Sequence, residues 1–317
     1  MSVGIKKLVF GRIGILMGGS STEREVSLKS GKTVCEALKN RGCDVVAIDL
    51  VSDKEEEVIE VIRNNRVSVA FLALHGRFGE DGTIQVILEK HKIPFTGSHQ
   101  EASRLAMDKI ASRKKFKENK LLVPKHFNLN KKQNLKLSEI IAYFGDFPLV
   151  VKPASHGSSI GVTLAEDDKG FRQAIEIAFG YDENIIVEEF IDGRELTVGI
   201  LEEKYLPIVE IVHKSKFFDF QAKYNSPDTE YIVPAQLRDG MTKAIQEAGL
   251  LAHKALGCYG CSRVDILLDK QNRPIVLEVN TIPGLTSHSL LPRAAAALNV
   301  SFAELCLRLV RMAYEKK

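Results

Sequence analysis

The chain has 317 residues, with 44 Lys and Arg against 41 Asp and Glu, so its formal net charge is +3 with His neutral. Its 44% hydrophobic and 27% charged residues are ordinary globular proportions, which exclude a disordered or fibrous protein. No apolar run reaches the roughly 18–20 residues that span a bilayer, no secretory signal is visible, and the near-zero charge gives no argument for nucleic acid. We therefore expect no membrane and no nucleic-acid partner, and about two domains from the length alone.

The first third of the chain predicts a parallel sheet with helices on its faces, because short apolar runs alternate with segments of helical periodicity. The predicted strands cover residues 13–17, 45–50 and 69–74, and the predicted helices cover 26–38 and 55–64. Polar and glycine-containing segments follow the first and third strands, at 18–21 and 75–77. Because open α/β sheets bind ligands beyond the carboxyl ends of their strands, both segments are candidate site segments.

Further strands and helices alternate along the rest of the chain. Predicted strands cover residues 149–152, 162–165, 185–190, 195–201, 206–212, 262–268 and 274–279. Predicted helices cover 109–119, 138–144, 168–179 and 242–256, and a capping box at 301–304 opens a closing helix. A polar segment, 214–231, interrupts this pattern.

Five cysteines are scattered through the chain, and their odd number argues against a disulfide framework. Cys258 and Cys261 match the C-x-x-C spacing of a redox pair or half a zinc site. No second Cys or His pair with ligand spacing accompanies them, so we interpret them as two small buried side chains.

The clearest chemical signal is a predicted hairpin formed by residues 263–269 and 273–280, with a turn at 269–272. Strand alternation across an even-length loop places Val264, Ile266, Leu268, Ile275, Leu277 and Val279 on a core face. The opposite face gathers Arg263, Asp265, Glu278 and Asn280. Two carboxylates and an amide oxygen suit a hard cation, above all Mg²⁺ that bridges substrate phosphates, and the donor-rich loop that follows favours this interpretation. The alternative is a solvated face with cross-strand salt bridges.

A second signal is Lys152 at a strand end, followed by the small-residue loop 156–161. Small residues let backbone N–H groups approach an anion, and Lys adds a point charge, so the segment is a candidate phosphate site. It is not a P-loop, because the Lys precedes the loop. A plain hairpin turn is the alternative.

The segment after the first strand, 18–27, is a third candidate. It lacks G-x-G-x-x-G, and Asp49 comes late for a dinucleotide fingerprint. Glu23 at a helix start could compensate the helix dipole or bind a substrate ammonium. His75 could line a substrate pocket or be a structural, hydrogen-bonded histidine.

Taken together, these segments resemble the D-alanine–D-alanine ligase family of the ATP-grasp superfamily over nearly the whole chain after residues 1–10. The matching motifs, in family order, are residues 18–27, 74–76, 79–83, 107–109, 151–153, 157–161, 188–191, 222–224, 263–265, 278–280 and 283–290. So many ordered matches are more specific than any single motif.

The resemblance implies an α/β ATP-grasp fold of three domains. An N-terminal parallel α/β substrate domain would cover residues 1–103, a central ATP-grasp subdomain 104–195, and a C-terminal subdomain 196–317. The last would carry the metal and substrate sites and a lid loop, 214–231.

The resemblance also implies roles for individual residues. ATP would contact Lys109, Lys152, Ser158, Ser159, Glu188, Glu189, Ile191, Glu195 and Lys223, with the adenine at 188–191, the ribose at Glu195 and the phosphates at the three Lys. Two Mg²⁺, which Mn²⁺ can replace, would bind Asp265, Glu278 and Asn280. The substrates would contact Glu23, His75, Arg263, Ser289 and Leu290. Catalysis would further involve Ser158, Tyr224 and the Gly284 N–H.

The implied activity is ATP-dependent ligation of two D-alanine molecules through an acyl phosphate, for peptidoglycan precursor synthesis in the cytoplasm by a homodimer. A related ligase would use D-serine or D-lactate as second substrate, but retention of Lys223 and Tyr224 favours an amine nucleophile. A dinucleotide-dependent oxidoreductase would leave the polar hairpin face unexplained. A non-catalytic nucleotide-binding regulator predicts damaged metal ligands, and none is missing.

Overall fold

The computed structural model describes residues 10–133, 136–213 and 229–315. The first of three sheets is parallel, with strand order β2-β1-β3, which confirms the predicted α/β architecture of this part. Its strands are β1 (Ile13–Gly18), β2 (Val45–Leu50) and β3 (Val69–Leu72), and its helices are α1 (Arg24–Lys39), α2 (Glu55–Asn64) and α3 (Thr83–Lys90). The strand β3 ends two residues before the predicted end at 74, and α3 was not predicted.

Strand β1 is apolar on both faces because helices cover both faces of its sheet. Ile13, Ile15 and Met17 face a core shared with α1, whereas Leu16 faces the core beneath α2 and α3. Because β1 and β3 are parallel neighbours, their carboxyl ends lie at the same edge of the sheet, where the segments 18–21 and 75–77 follow.

The second sheet is antiparallel and has strand order β4-β7-β5-β6. Its strands are β4 (His126–Asn130), β5 (Leu149–Pro153), β6 (Thr163–Ala165) and β7 (Asn184–Glu189). Helices α6 (Leu137–Phe144) and α7 (Asp168–Tyr181) pack against it, whereas α4 (Gln100–Met107) and α5 (Lys109–Glu118) contribute apolar residues to the core of the third sheet. Helix α5 begins at Asp108, whose side chain accepts hydrogen bonds from the N–H groups of Ile110 and Ala111. That cap sets the position of Lys109 in the first turn.

The third sheet has the order β11-β10-β8-β12-β13, and β9 pairs with β8. Its strands are β8 (Gly193–Leu201), β9 (Lys204–Tyr205), β10 (Val209–Val212), β11 (Glu230–Ile232), β12 (Cys261–Asp269) and β13 (Pro274–Asn280). The last helices are α8 (Met241–Ala255), α9 (Leu290–Ala296) and α10 (Phe302–Glu315). The strand predicted at 206–212 begins three residues later, at Val209, and Pro207 in the excluded part has no N–H to donate to a sheet.

The hairpin of β12 and β13 contains a β-bulge that was not predicted. Ile266 is paired with Val276, but its neighbour Asp265 is paired with Glu278, so Leu277 is the extra residue. Leu277 therefore leaves the predicted core face and lines a cavity, and Val276 is fully buried in its place.

The turn of this hairpin also differs from the prediction. The Asp269 N–H donates to the Arg273 carbonyl at 3.2 Å, which leaves an odd loop, 270–272. Ile275 is consequently paired with Leu267 and does not share a face with Ile266. The odd loop and the bulge each shift the pairing by one residue in the same direction, and a total shift of two residues returns the side chains beyond the bulge to the predicted face. The predicted polar face is therefore correct there, and Arg263 is paired with Asn280.

Helix α10 closes the chain against the first sheet. Leu305, Leu309 and Val310 lie in the same core as Ile13 of β1. The Ser301 hydroxyl accepts a hydrogen bond from the Glu304 N–H at 3.2 Å, which confirms the predicted cap. The division into domains at 103 and 195 stays a prediction, and the second boundary falls within β8.

The cysteines and the helices bear on two further predictions. None of the five cysteines is in a disulfide, and burial raises the pKa of both Cys258 and Cys261 to about 12, as expected for inert structural thiols. Within the described ranges, no helix combines the length and apolar character needed to cross a bilayer.

Candidate active site

A cavity of about 510 Å³ opens where the three sheets meet. Its lining includes every predicted site residue that lies in the described ranges: Glu23, His75, Lys109, Lys152, Ser158, Ser159, Glu188, Glu189, Ile191, Glu195, Arg263, Asp265, Glu278, Asn280, Gly284, Ser289 and Leu290. The remaining two, Lys223 and Tyr224, lie outside the described residues, as do positions 214–228 of the predicted lid. Residues far apart in sequence thus surround one space.

One wall of the cavity is organised by a buried carboxylate. Glu188 on β7 is only 2% exposed, and its oxygens lie 2.5 Å from the Lys152 Nζ and 2.8 Å from the Arg113 Nη2. Burial by itself raises the pKa of Glu188, but the two cations outweigh burial and lower this pKa to about 2. Glu188 is therefore ionised and holds the ammonium group of Lys152 in place.

Arg113 on α5 is a site-organising residue that sequence reasoning missed. It is fully buried, and besides pairing with Glu188 it donates a hydrogen bond to the Leu277 carbonyl. Arg113 therefore ties the strand that carries Glu188 to the bulge of β13. Only its position four residues after Lys109, one helical turn along α5, could have indicated this role.

Lys109 reaches the same region from the first turn of α5. Its Nζ donates to the His156 carbonyl and lies 3.9 Å from a Glu278 carboxylate oxygen. Burial lowers the pKa of Lys109, and the charge of Glu278 opposes this effect only in part. The adjoining loop holds Ser158 and Ser159 at φ values of +51° and +56°, a left-handed conformation that non-glycine residues seldom adopt. Such conformations cluster at ligand-binding sites, which agrees with the candidate phosphate site.

The polar face of the hairpin supplies oxygen ligands. Asp265 accepts hydrogen bonds from the Arg263 Nε and Nη2 at 2.8 and 2.7 Å, and from the Asn280 Nδ2 at 3.2 Å. The Thr197 hydroxyl donates to the same carboxylate at 2.9 Å. Asp265 is thus held in one orientation, with Glu278 as its partner across the strands.

This donor set fits a hard divalent cation. It consists of two carboxylates and an amide, and all three residues line the cavity. In the described parts of the chain, no group of three or more His, Cys, Asp and Glu side chains is arranged to hold a metal ion. A cation here would therefore complete its coordination with phosphate or water oxygens, which is the usual arrangement for Mg²⁺.

At the other end of the cavity, Glu23 is in contact with the small-residue loop 156–161. The Ser158 hydroxyl donates a hydrogen bond to a Glu23 carboxylate oxygen. Gly76 lies against the other oxygen, because a Cβ built at Gly76 would come within 2.5 Å of it, and Gly76 has a φ of +72°. A side chain at position 76 would therefore displace the Glu23 carboxylate.

His75 is both a cavity residue and a hydrogen-bonded one, and its role toward a substrate stays a prediction. It is 5% exposed, and its Nε2 lies 3.1 Å from the Ser30 hydroxyl. Burial is the main reason that the pKa of His75 is lowered to about 4. The charge of Arg263 also lowers this pKa, and a backbone hydrogen bond to Ile282 opposes the shift. His75 is consequently neutral at pH 7.

Glu80 is a second cavity residue to which the sequence analysis assigned no role, although it lies in the motif 79–83. Its carboxylate accepts a hydrogen bond from the Gly76 N–H at 2.8 Å. Burial and the charge of Glu23 raise the pKa of Glu80 to about 8. Glu80 is therefore largely protonated at pH 7, next to an acidic neighbour.

The loop after β13 completes this end of the cavity. The Ser289 hydroxyl accepts a hydrogen bond from the Thr286 N–H at 3.1 Å and lies 2.8 Å from the Thr286 hydroxyl. Leu290 is the first residue of α9, so its N–H has no acceptor within that helix. Gly284 packs against Ser289, since a Cβ at 284 would come 3.2 Å from the Ser289 hydroxyl.

Family comparison accounts for these features. The family model described as D-ala D-ala ligase C-terminus matches residues 116–311, and the model described as D-ala D-ala ligase N-terminus matches 12–58 and 52–98. The chain belongs to the D-Ala–D-Ala ligase family. The fold is accordingly the expected ATP-grasp fold, in which a parallel N-terminal sheet is combined with two antiparallel sheets.

Relatives of the D-Ala–D-Ala ligase family match over nearly the whole chain. The D-alanine–D-alanine ligase of Geotalea uraniireducens is 45% identical over 302 residues, which cover 95% of each chain. The solved D-alanine–D-alanine ligase of Bacillus anthracis complexed with ATP is 34% identical, with a TM-score of 0.85 over 96% of this chain and 98% of that one. The VanG D-Ala:D-Ser ligase of Enterococcus faecalis is 31% identical, with a TM-score of 0.81 over 95% of this chain and 99% of that one.

Proposed function

We propose that the protein is an ADP-forming ligase that uses ATP to join two molecules of D-alanine. The observation that carries this proposal is the contact between Ser158 and Glu23. It brings a loop suited to binding the phosphates of ATP next to a carboxylate suited to binding the ammonium group of an amino acid. The carboxyl group of an amino acid bound at Glu23 would therefore lie beside the γ-phosphate. Family membership supports the same activity.

In the proposed reaction, Lys109, Lys152 and the loop 156–161 bind the ATP phosphates as donors and positive charges. The adenine site is lined by Glu188, Glu189 and Ile191, and Glu195 accepts hydrogen bonds from the ribose hydroxyls. Asp265, Glu278 and Asn280 would hold two Mg²⁺, or Mn²⁺ in their place, and bound ions would supply the positive charge that phosphoryl transfer requires.

Glu23 binds the ammonium group of the first D-alanine, beside His75. A carboxylate oxygen of that substrate attacks the γ-phosphorus, which releases ADP and forms an acyl phosphate. The amine of the second D-alanine then attacks the acyl carbon, and inorganic phosphate leaves as the peptide bond forms.

Arg263 and the Gly284 N–H stabilise the oxyanion of that second step, as preorganised donors do. Asp265 prepares Arg263 for this role by holding its guanidinium through two hydrogen bonds. Ser289 and the Leu290 N–H bind the carboxylate of the second D-alanine. Lys223 and Tyr224 remain predicted contributors from the lid loop, which would exclude water from the acyl phosphate.

A coupled assay of ADP release tests this proposal. We expect release that depends on D-alanine, and little release with L-alanine or without an amino acid, because Glu23, Arg263 and Ser289 fix three points of the substrate. Mass spectrometry of products formed with D-alanine plus D-serine or D-lactate distinguishes the alternative second substrates. Comparable release with L-alanine and D-alanine contradicts the proposed stereochemistry.

We also propose that the enzyme acts in the cytoplasm on peptidoglycan precursors, as a homodimer of three-domain chains. Sedimentation equilibrium of the purified protein measures the oligomeric state. Expression of the segments 1–103, 104–195 and 196–317 as separate chains tests the proposed division into domains, and each segment should fold by itself if the division is correct. A monomeric mass at micromolar concentration contradicts the homodimer.

A further inference from the structure

His213 lies at the end of β10 and lines the cavity. Its side chain is 13% exposed, and its Nε2 lies 3.1 Å from a carboxylate oxygen of Glu195 on β8. The residue paired with Glu195 on β10 is Ile211. His213 is two residues further along, on the same face of the sheet, which is the diagonal position from which a long side chain can reach Glu195.

The hydrogen bond between them determines the proton on the ring. A carboxylate only accepts hydrogen bonds, so the His213 Nε2 carries the hydrogen that is donated to Glu195. This bond restricts the rotation of the Glu195 carboxylate about its side-chain torsions. An acceptor that is already oriented loses less conformational entropy when a hydroxyl group binds to it.

We propose that His213 is a positioning residue for the nucleotide, which orients Glu195 to accept hydrogen bonds from the ribose hydroxyls. The inference rests on the proposed function only in assigning the ribose to Glu195. A site built to bind a hydroxyl rejects the analogue that lacks it, because a polar group is then left unpaired. His213 would therefore contribute to discrimination between ATP and deoxynucleotides, as well as to affinity for ATP.

The variants His213→Ala and His213→Gln test this inference, since Gln keeps an N–H donor. With D-alanine saturating, we expect His213→Ala to raise the KM for ATP about five- to tenfold, the effect of one lost hydrogen bond, with kcat changed less than about twofold. The preference for ATP over 2′-deoxy-ATP and 3′-deoxy-ATP, as a ratio of kcat/KM values, should fall by a similar factor for at least one analogue. His213→Gln should recover most of both effects.

A matched control is His91, whose Nε2 lies 2.8 Å from Glu55 outside the cavity. His91→Ala should change neither the KM for ATP nor the deoxynucleotide ratio. In a Glu195→Gln background, His213→Ala should have little further effect on the ratio, because the two residues act on the same hydroxyl groups.

Three outcomes would overturn the inference. These are an unchanged KM for ATP in His213→Ala, an equal rise in KM for ATP and both deoxynucleotides, and a fall in kcat alone. Calorimetric titration with ADP, 2′-deoxy-ADP and 3′-deoxy-ADP measures the same discrimination without turnover. If the wild type binds ADP in a His213-dependent way but releases no ADP with D-alanine, the proposed function fails and the role of His213 stands.

Discussion

Replacing Arg113 with Met should destabilise the protein strongly, because it leaves a buried negative charge with one cation fewer. Arg113 is fully buried, and its Nε and Nη2 lie 2.9 and 2.8 Å from the same Glu188 oxygen. Met fills a similar volume but cannot donate a hydrogen bond. Glu188 then keeps only Lys152, and the carbonyl of Leu277 loses its donor.

The magnitude follows from the pKa of Glu188. Its value of about 2, against an ordinary value of 4.5, corresponds to about 3 kcal/mol of net stabilisation at neutral pH, after burial has opposed the attraction of Arg113 and Lys152. Loss of one partner of a buried pair generally costs about 3–5 kcal/mol, which includes the unpaired group left behind. We therefore expect Arg113→Met to lower the free energy of unfolding by about 3–5 kcal/mol at pH 7.

Urea denaturation followed by circular dichroism measures this change. Because the folded-state pKa of Glu188 is lowered, its stabilising contribution is present above pH 4.5 and is lost as the pH falls toward 2. Arg113→Met should therefore lose less stability than the wild type over that interval. Arg104→Met is the control, since Arg104 forms an exposed pair with Glu101 and should cost less than about 1 kcal/mol. A loss below about 1 kcal/mol in Arg113→Met would refute the role assigned to the buried network.

Three further changes test the site. Glu278→Gln should abolish most ADP release, because it removes a proposed ligand of the metal ions that assist phosphoryl transfer. Its circular dichroism spectrum should be unchanged. ADP release at the wild-type rate would exclude the metal role of Glu278. Gly76→Ala should raise the KM for D-alanine by displacing Glu23, whereas Gly42→Ala, with a φ of +77° and no atom within 4 Å of its added Cβ, should change stability without changing KM. The free energy of unfolding of the Glu80→Gln variant should increase relative to that of the wild type as the pH rises from 4.5 to 8. Because the folded-state pKa of Glu80 is raised, the wild type loses stability over this interval, whereas Gln does not titrate. Thermal unfolding across this pH range measures the difference, and a constant difference would contradict the raised pKa.

The parts of the fold that the sequence predicted correctly are those with a local signal. The strands β1 and β2 and the helices α1 and α2 follow from residue spacing alone, since each is an apolar run or a periodic pattern within one short segment. The site motifs were also recognisable, because residues 156–161 and the loop after β13 carry their functional groups in short segments. Helices α3, α4 and α9 were missed, and they are only seven or eight residues long, so each offers about two turns in which to recognise a period.

Only the tertiary structure decided which of these segments meet. Arg113 is buried because β7 and β13 pack around α5. Its position one turn after Lys109 indicates the face that the two residues share, but not that other strands cover this face and leave Lys114 exposed. The bulge at Leu277 is likewise stabilised by a hydrogen bond from Arg113, 164 residues earlier in the chain. Helix α10 returns to the first sheet, and Glu195 meets His213 across two strands, through contacts that depend on chain topology. The spacing of residues within a segment determines which face of a helix or strand is apolar. Burial and charge pairing depend on residues that are far apart in sequence and meet only in the folded chain.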